Sequence, residues 1–516
     1  MDPKEILNFC LERGILLDKE VLNMLSEATD FESARLMIER IKERTHQKII
    51  TRNVFMESIK QFEPVLSGDG QKGLEKLKIR LGLELEISKE YSKPVNEIIL
   101  EPQNDRGVKI TSFFTASNKK LEVEDFVNYY RSRFFKIKSI LQSHPSLKNL
   151  VSINKISGDR QGFSIICTIL EKRVTKNGNM LLDVEDPTGN IRVLVNQNKP
   201  QIFKKAEELA LDSVVGISGS GNKEILFAND IVFPDSILPE RKKSPVEEYA
   251  LFISDIQYGS KLFFRDNFNK FIDYLNGHVS NTPEVSKIKY LFIVGDIISG
   301  IGIYPGQEGD LEVNDLELQF KQIAELLGKI RKDITIIISP GNHDCVRIME
   351  PQPVLDRKFA EPLYHMENVL LASNPCYVNI GEKEGFPGLD VLVYHGFSYP
   401  YYADNVPSLI QADAMNAPDK IMAYLLKNRH LAPTHGSNQH FPLAEDSFVI
   451  DKIPDVFVSG HTHKCAVSFY NNTLLISGAA WEDMTENQEK MGNKPDFCKV
   501  PILNLKTGGV KILDFE

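Results

Sequence analysis

The chain has 516 residues, with 61 Lys and Arg against 71 Asp and Glu, and a net charge of −10. That length is typical of two to four domains at roughly 100–200 residues each. A hydrophobic fraction of 42% with 26% charged residues excludes a wholly disordered chain. No apolar run approaches the roughly 18 residues that cross a bilayer, and the first residues, MDPKEILNFC, lack the pattern of a secretion signal. The six cysteines form no CxxC pair, which indicates a reducing compartment. We therefore expect an intracellular, cytoplasmic protein with no membrane partner.

Residues 1–63 are predicted to form a small helical domain. Asp2 and Glu5 have the spacing of a capping box, and Gly14 is placed to end the helix that follows. Thr29 and Glu32 offer a second capping box before apolar residues at helical spacing, which are Ala34, Met37, Ile38 and Ile41. Nothing catalytic is visible in this segment, so we expect a docking or tethering role for it.

A linker is predicted at 64–112, because polar turn-forming residues alternate there with short apolar pieces. The segment 113–148 then leads into the next domain and contains a predicted helix at 121–141. In that helix aromatic and basic residues alternate: Tyr129, Tyr130, Phe134 and Phe135 with Arg131, Arg133, Lys136 and Lys138. One interpretation is a strip that contacts DNA. The other, which charge runs favour, is a helix that packs its aromatic rings on the next domain and leaves its charges in water.

Residues 149–243 are predicted to form a domain of the OB (oligonucleotide-binding) fold, because the hydrophobic period changes to two. The strand candidates are VSINKI, SIICTILEKRV, NMLLDVED, IRVLVNQ, VVGISGSG and EILFANDIVF. Five or so short strands with a helical insert from Lys199 to Leu209 fit a small Greek-key barrel. Such barrels often bind single-stranded nucleic acid, but no aromatic platform is obvious here, so an architectural role is an equal expectation.

The last predicted domain, 244–516, begins within the proline-containing stretch PDSILPERKKSPVEE and alternates apolar strands with helical segments, an α/β pattern. Five of its apolar runs end in residues that can hold a metal. An open α/β sheet places such residues together at the carboxyl edge of its strands. They are Asp255 and Gln257; Asp296; Asn342, His343 and Asp344; His395; and His461 with His463.

The spacing of these residues supports a metal site. Asp255 and Gln257 are two residues apart, as are His461 and His463, so in extended backbone both members of each pair project the same way. Eight of the eleven histidines lie between 343 and 463. A single histidine is more often structural, but five strand-end signals in one order predict a site. Mixed imidazole, carboxylate and amide donors suit manganese, iron or zinc better than an all-oxygen magnesium site.

The order DxQ, GDxx, GNHD, H and GHxH resembles the calcineurin-like metallophosphoesterase superfamily, whose pattern is DxH, GDxxD, GNHD or GNHE, H and GHxH. The strings GDIISGIGIYPGQE, GNHDCVRIMEPQP and LLKNRHLAP, and the order of the domains, resemble the small subunits of archaeal family-D DNA polymerases. The resemblance covers nearly the whole chain and is most specific over 246–516. It implies a multidomain fold: a small α-helical N-terminal domain, an OB-like β-barrel and a C-terminal α/β (α+β sandwich) metallophosphoesterase domain.

This resemblance also implies a function, a 3′→5′ proofreading exonuclease that acts on the primer end of DNA. It implies a separate large polymerase subunit as partner, with a sliding clamp as a further candidate, and two divalent metal ions, with Mn²⁺ favoured over Fe²⁺, Zn²⁺ and Mg²⁺. His343 is the residue implied to act on the leaving group. The implied ligands are Asp255, Gln257, Asp296 and His463 for the first ion, and Asp296, Asn342, His395 and His461 for the second.

Two positions depart from the family pattern. Gln257 stands where the family has histidine, and since an amide oxygen is a weaker donor than imidazole, the first metal is expected to bind less tightly. Ser299 replaces the second carboxylate of GDxxD, a position expected to orient ligands rather than to bind the ion. These departures leave two alternatives open. One is a non-catalytic scaffold subunit with a vestigial site, and the other is a phosphoesterase of a different substrate.

Three further features each have two interpretations. Arg347 is a candidate to clamp a substrate phosphate or to form a structural ion pair. Trp481 is a candidate to stack on a base, although a lone tryptophan more often packs in a core. Cys345 and Cys465 lie beside the motif residues, but the absence of paired cysteine spacing favours small inert side chains.

Overall fold

The computed structural model describes residues 3–28, 31–45, 49–51, 54–55, 58, 107–111, 120–490 and 492–516. The chain divides into two compact units, Met1–Leu100 and Glu101–Glu516. No helix within the described residues has the length and apolar character needed to span a membrane. The first residues of both predicted capping boxes, Asp2 and Thr29, and most of the predicted linker lie outside the described residues.

Helices dominate the described part of the first unit. The first helix ends at Glu12, and Gly14 follows it with a φ of 66°, a left-handed conformation that favours glycine, as predicted. The four apolar positions predicted at helical spacing, from Ala34 to Ile41, are all fully buried in one cluster. The elements are α1 (Pro3–Glu12), β1 (Leu16–Leu17), α2 (Lys19–Ala28), α3 (Phe31–Thr45) and β2 (Ile49–Ile50), with β1 and β2 parallel.

The second unit begins, among the described residues, with strand β3 (Val108–Ile110) and helix α4 (Val123–Leu141). Helix α4 is the predicted aromatic and basic helix. At its start the Glu122 N–H donates to the Asp125 carboxylate at 2.9 Å, an arrangement typical of a capping box. Farther along, Phe134 packs in a cluster with Leu147 and Val214, so this face covers the next domain.

One charge of α4 is buried, contrary to the expectation that all of them lie in water. The Arg133 Nε donates to Asp446 Oδ2 at 2.6 Å and its Nη1 donates to the Pro433 carbonyl at 2.6 Å. Tyr129 is also fully buried, whereas Phe135 is 53% exposed. The packing interpretation therefore holds for most of the aromatic strip, and Arg133 is part of that packing rather than a solvated charge.

A closed barrel of five strands follows helix α4. Its elements are β4 (Gln161–Val174), β5 (Met180–Asp186), β6 (Gly189–Val195), α5 (Pro200–Glu207), β7 (Val214–Gly221) and β8 (Ile225–Val232). The order is β4-β5-β6-β8-β7, and β7 closes the barrel by pairing with β4. The number of strands and the helical insert agree with the prediction. Assignment of the barrel to the OB type stays a prediction.

The strand predicted at VSINKI is wrong. These residues contain a short 3₁₀ turn, Ile153–Lys155, in which the Ile153 N–H donates to the Asp186 carboxylate at 2.9 Å rather than to the backbone of a neighbouring strand. Ile153 and Ile156 instead pack their side chains against the barrel core. The alternating apolar pattern there reflects burial at the end of the barrel rather than strand pairing.

Two six-stranded sheets pack face to face in the rest of the unit, the sandwich that the family resemblance implies. The strands, besides β3, are β9 (Tyr249–Ile253), β10 (Ile288–Val294), β11 (Thr335–Ser339), β12 (Val369–Leu371), β13 (Cys376–Ile380), β14 (Leu389–Val393), β15 (Val456–Ser459), β16 (Ala466–Tyr470), β17 (Thr473–Ser477), β18 (Lys499–Asn504) and β19 (Val510–Asp514). The first sheet has the order β12-β11-β10-β9-β18-β19, and the second has the order β16-β17-β15-β14-β13-β3.

Helices cover the outer face of each sheet. The first sheet is covered by α6 (Arg265–Leu275), α7 (Leu316–Leu327) and α8 (Arg357–Tyr364). The second is covered by α9 (Tyr399–Asn405), α10 (Pro407–Gln411) and α11 (Pro418–Asn428), and a short helix, α12 (Glu486–Lys490), follows β17. Trp481 is fully buried, with its ring centroid 4.9 Å from that of Phe268, which confirms the packing interpretation of this tryptophan.

Strand β3 lies inside the predicted linker, so the linker prediction is wrong for these residues. β3 pairs antiparallel with β13, with Val108 opposite Ile380, and Val108 is 1% exposed. The Thr111 N–H also donates to the Tyr377 carbonyl at 2.8 Å. Three residues are too few for a periodic pattern to show, and their partner strand lies far along the chain.

We predict that Arg133→Met lowers the free energy of unfolding by about 3–5 kcal/mol, because the Asp446 carboxylate is then buried without its cation. Arg131→Met on the same helix is the matched control. Since Arg131 is exposed, its loss is expected to change stability by less than about 0.5 kcal/mol. Urea denaturation followed by circular dichroism measures both. Equal effects of the two substitutions would show that the buried Arg133–Asp446 pair does not stabilise the fold.

Candidate metal centre

Five strands end at the seam between the two sheets, and the predicted residues follow them there. In the first sheet, Asp255 and Gln257 follow β9, Asp296 follows β10, and Asn342 and His343 follow β11. In the second sheet, His395 follows β14, and His461 and His463 follow β15. The carboxyl ends of these strands thus meet at one place, as the strand-end pattern predicted.

Asp296 lies at the centre of the cluster. Its side chain is 2% exposed, and Oδ2 has three nitrogen neighbours: Gln257 Nε2 at 3.2 Å, His395 Nε2 at 3.3 Å and His343 Nε2 at 3.7 Å. Its Oδ1 accepts a hydrogen bond from the His343 N–H at 2.8 Å. Residues from three strand ends therefore converge on one carboxylate.

The residues implied for the second metal lie together. Ligand atoms of Asp296, His395 and His461 are all within 4.8 Å of one another. Asn342 Oδ1 is 3.1 Å from His395 Nε2. A carboxylate, two imidazoles and an amide oxygen thus face one small volume, a donor set that fits manganese, iron or zinc.

The residues implied for the first metal are linked through Asp255. His463 Nε2 is 3.5 Å from Asp255 Oδ1, and the His461 N–H donates to both Asp255 oxygens at 3.1 and 3.0 Å. Gln257 turns its amide nitrogen toward Asp296. Rotation of that amide by half a turn presents Oε1 instead, so Gln257 fits the place of a metal ligand sterically.

Backbone conformation at the site differs from the prediction. Instead of extended backbone, Asp255, Gln257, His461 and His463 have φ values of 50°, 54°, 68° and 55°, in the left-handed region. Asp296 has a φ of 51° as well. Left-handed backbone costs a non-glycine residue of order 1–3 kcal/mol, and such conformations cluster at functional sites. The side chains converge because the chain turns sharply after each strand.

Two glycines permit the close approach of the strand-end loops. A Cβ on Gly341 would lie 2.2 Å from Asp296 Oδ1, and one on Gly295 would lie 2.2 Å from His395 Nδ1. Gly295 also has a φ of 77°. Any larger residue at 341 or 295 would push a candidate ligand out of place.

Electrostatic coupling at the centre is strong. Burial would raise the pKa of Asp296, but the charges of His343 and His395 hold this pKa well below its usual range. Burial would lower the pKa of His395, yet the Asp296 carboxylate outweighs it and raises the pKa to about 10. Burial, together with the charge of His395, lowers the pKa of His461 to about 3. The cluster therefore stabilises one positive charge beside Asp296, at the place where a cation would bind.

Hydrogen bonds to backbone carbonyls fix the tautomers of two histidines. Since a carbonyl only accepts, His395 Nδ1 donates to the Val294 carbonyl at 3.0 Å, which leaves Nε2 facing the cluster. His343 Nδ1 likewise donates to the Ser299 carbonyl at 2.9 Å. The Ser299 hydroxyl donates to the Gln257 carbonyl at 2.8 Å. Ser299 thus contacts two site residues through its own atoms.

Known proteins resemble this chain over most of its length. Residues 250–467 match the family of the B subunits of DNA polymerases alpha and epsilon. The DNA polymerase II small subunit of Methanothermobacter thermautotrophicus is 36% identical over 401 residues, covering 77% of this chain and 80% of the relative. That of Pyrococcus abyssi is 37% identical over 447 residues, covering 84% and 69%.

The chain belongs to the family of small subunits of archaeal family-D DNA polymerases.

The chain is also similar to proteins of known structure. An archaeal phosphodiesterase aligns with a TM-score of 0.26 and 13% identity, covering 51% of this chain and 98% of the other. Vacuolar protein sorting 29 from Cryptosporidium parvum aligns with a TM-score of 0.24 and 16% identity, covering 52% and 96%.

In this family member, two residues beside the site have structural contacts. Asp344 accepts hydrogen bonds from the N–H groups of Ile297, Ile298 and Gly341 at 2.8 to 3.1 Å, so it joins two loops rather than facing the ligand cluster. Arg347 donates twice to the Pro351 carbonyl and lies 3.9 Å over the Phe441 ring. Among the described residues it forms no ion pair, contrary to the structural alternative predicted for it, and its role as a phosphate clamp stays a prediction.

The adjacent cysteines are poor candidates for thiolate ligands. Burial raises the pKa of Cys465 to about 11 and also raises that of Cys345. A thiol of raised pKa carries little thiolate at neutral pH. The prediction that Cys345 and Cys465 are small inert side chains agrees with the raised pKa of each thiol.

Sequence reasoning missed three residues that lie against the site. Gln488 Nε2 is 2.9 Å from His463 Nδ1, and Asn374 Oδ1 accepts from the His395 N–H at 2.9 Å. Glu482 is 7% exposed, and burial raises its pKa against the opposing charge of His463. Glu482 follows β17, so the strand-end rule already used could have found it; no local pattern marks the other two.

Gly341→Ala is predicted to abolish the stabilisation of the protein by Mn²⁺, because the new Cβ displaces Asp296. A ligand at 100 times its dissociation constant stabilises a fold by about 2.7 kcal/mol, so the loss is visible as a missing rise in melting temperature. Gly158→Ala is the control, since nothing lies within 4 Å of a Cβ there. A full Mn²⁺-induced rise in the Gly341→Ala variant would contradict the assigned site.

Proposed function

We propose that this chain is the proofreading 3′→5′ exonuclease subunit of a family-D DNA polymerase and acts with a large polymerase subunit. The observation that carries the proposal is the convergence of Gln257, His343 and His395 on the buried Asp296 carboxylate. Family membership supplies the polymerase context, and the donor set supports phosphodiester chemistry. A barrel of OB type and a DNA 3′ end as substrate are parts of this proposal.

Two divalent cations, Mn²⁺ by preference, would be held by the seven candidate ligands, with Asp296 shared between them. When bound, such a pair activates water and neutralises charge on the phosphate oxygens. The fit is supported by the pKa of His395, which the Asp296 charge raises against the effect of burial to about 10. A centre that stabilises a positive charge in this way is suited to a cation. Displacing the proton from His395 frees Nε2 to act as a ligand.

His343 is suited to donate a proton to the departing 3′ oxygen. Its Nδ1 donates to the Ser299 carbonyl, so Nε2 is the atom that gives or takes a proton. The side chain is 17% exposed, so a substrate can reach it, and Asp296 Oδ2 lies 3.7 Å from Nε2. This combination of access, fixed tautomer and a nearby carboxylate is what a general acid requires.

We expect His343→Ala to lower the rate of 3′ nucleotide release by roughly 10²–10⁴-fold, the usual contribution of a general acid. The assay uses a primer with a mismatched 3′ end and Mn²⁺, with the full chain alone and with its large subunit. His365→Ala, at an exposed position, is the control. Lack of nucleotide release by the unsubstituted protein, even with the large subunit, would favour the scaffold alternative.

Gln257→His is expected to tighten the binding of one Mn²⁺ by roughly tenfold, because imidazole is a better donor than an amide oxygen. Isothermal titration of the metal-free full chain measures this directly. Gln322→His is the control, since Gln322 is a part-buried glutamine that bonds Tyr258. Unchanged Mn²⁺ affinity in Gln257→His would mean that Gln257 is not a ligand of the first metal.

A further inference from the structure

Three buried polar side chains beside the site are not explained by the ligand set. Glu350, Gln352 and Asn374 are each fully buried. Burying polar groups of this kind costs free energy unless every one is hydrogen-bonded. A cluster of three such residues therefore indicates a functional constraint at this place.

Asn374 contacts the site directly. Its Oδ1 accepts a hydrogen bond from the His395 N–H at 2.9 Å. On the other side, its Nδ2 donates to Gln352 Oε1 at 2.8 Å and to Glu350 Oε1 at 3.1 Å. Two acceptors on one side and one donor on the other allow the amide only one orientation.

The other two residues connect this amide to the loop that carries Asn342. Gln352 Nε2 lies 3.4 Å from the Gly341 carbonyl, next to Asn342. The backbones of Gln352 and Asn374 exchange two hydrogen bonds, at 2.7 and 3.0 Å. Both ends of the Asn342–His395 contact are therefore held by one hydrogen-bonded cluster.

Glu350 is held in place by donors of its own. Its Oε2 accepts from the Tyr394 hydroxyl at 3.1 Å and from Asn438 Nδ2. Tyr394 immediately precedes His395 in the chain, so Glu350 contacts the second sheet at two points, through Tyr394 and through Asn374. With both oxygens engaged, its carboxylate cannot rotate away from Asn374.

We propose that Asn374 is a positioning residue that sets the separation of Asn342 and His395 and thereby the affinity of the second metal. Glu350 and Gln352 act through it by fixing the direction of its amide. This inference rests on the proposed two-metal function and names residues outside the ligand set. The physical reason is that a ligand pair 3.1 Å apart keeps that spacing only if both of its backbone segments are held.

Asn374→Asp is the sharpest test, because it conserves size and still accepts from the His395 N–H. It places a carboxylate against two acceptors, Glu350 Oε1 and Gln352 Oε1. The substitution therefore disrupts the hydrogen bonds to Glu350 and Gln352 and leaves the hydrogen bond from the His395 N–H in place. Mn²⁺ titration of the full chain is expected to show one ion bound 10–100-fold more weakly, roughly the effect of removing a residue that orients a ligand. Asn374→Ser, which removes the amide without adding charge, is expected to weaken the same ion.

Asn379→Asp is the matched control. Asn379 is a nearly buried asparagine on β13 whose Nδ2 donates to Asp390 Oδ1 and to the Pro387 carbonyl, both at 3.0 Å. Its replacement also sets a carboxylate against a carboxylate but has no contact with His395. We expect this variant to lose thermal stability and to keep its Mn²⁺ affinity.

The double variant Glu350→Gln with Asn374→Asp separates a positioning role from general destabilisation of the fold. In that double variant the new amide at 350 can donate to the new carboxylate at 374, so the hydrogen bond returns with opposite direction. Mn²⁺ affinity is expected to recover relative to Asn374→Asp alone, a coupling that a double-mutant cycle measures.

Each outcome decides one hypothesis. Weakened Mn²⁺ binding in both Asn374 variants, with recovery in the double variant and no change in the control, supports the positioning role. Wild-type affinity in Asn374→Asp, or equal weakening in Asn379→Asp, overturns it while the proposed function stands. If the unsubstituted chain binds no Mn²⁺, the proposed function itself fails.

Discussion

Burial of the Asp296 carboxylate is the constraint on which the site depends. A negative charge on a side chain that is 2% exposed needs donors or a cation close by. The first sheet supplies Gln257 and His343, and the second sheet supplies His395. The first sheet gives each oxygen a hydrogen-bond donor, and the second sheet adds the charge of His395 at 3.3 Å, which requires the two strand edges to meet closely. Left-handed turns after the strands and the absence of a Cβ at Gly341 are the local consequences.

Buried polar contacts also fix the barrel and the sandwich to each other within the second unit. Helix α4 packs Phe134 on the barrel while Arg133 pairs with Asp446 of the sandwich. From the sandwich side, the Tyr424 hydroxyl donates to the Glu208 carbonyl at 2.9 Å. These contacts are directional and buried, so they specify one orientation of the barrel more strictly than apolar contact would.

The sequence predicted those parts of the molecule that local pattern encodes. Five of the six period-two strands, the apolar face of α3 and the residues after β9, β10, β11, β14 and β15 lie where the pattern placed them. What it missed depends on distant partners: β3 needs β13, Arg133 needs Asp446, and Asn374 needs His395. No periodicity reveals such pairs, and the left-handed backbone at Asp255 and His461 is invisible to a rule based on extended strands.

The pairing of β3 with β13 means that the sandwich is not a continuous segment of chain. The barrel is inserted between β3 and β9, so a fragment starting near residue 244 would lack the strand that covers β13. An unpaired strand edge with apolar residues such as Val378 and Ile380 is a template for pairing with another chain. During synthesis β3 is made first, and its partner β13 is made only after the barrel and strands β9 to β12. The strand that covers this edge of the sandwich is therefore encoded ahead of the barrel and of the rest of the sandwich.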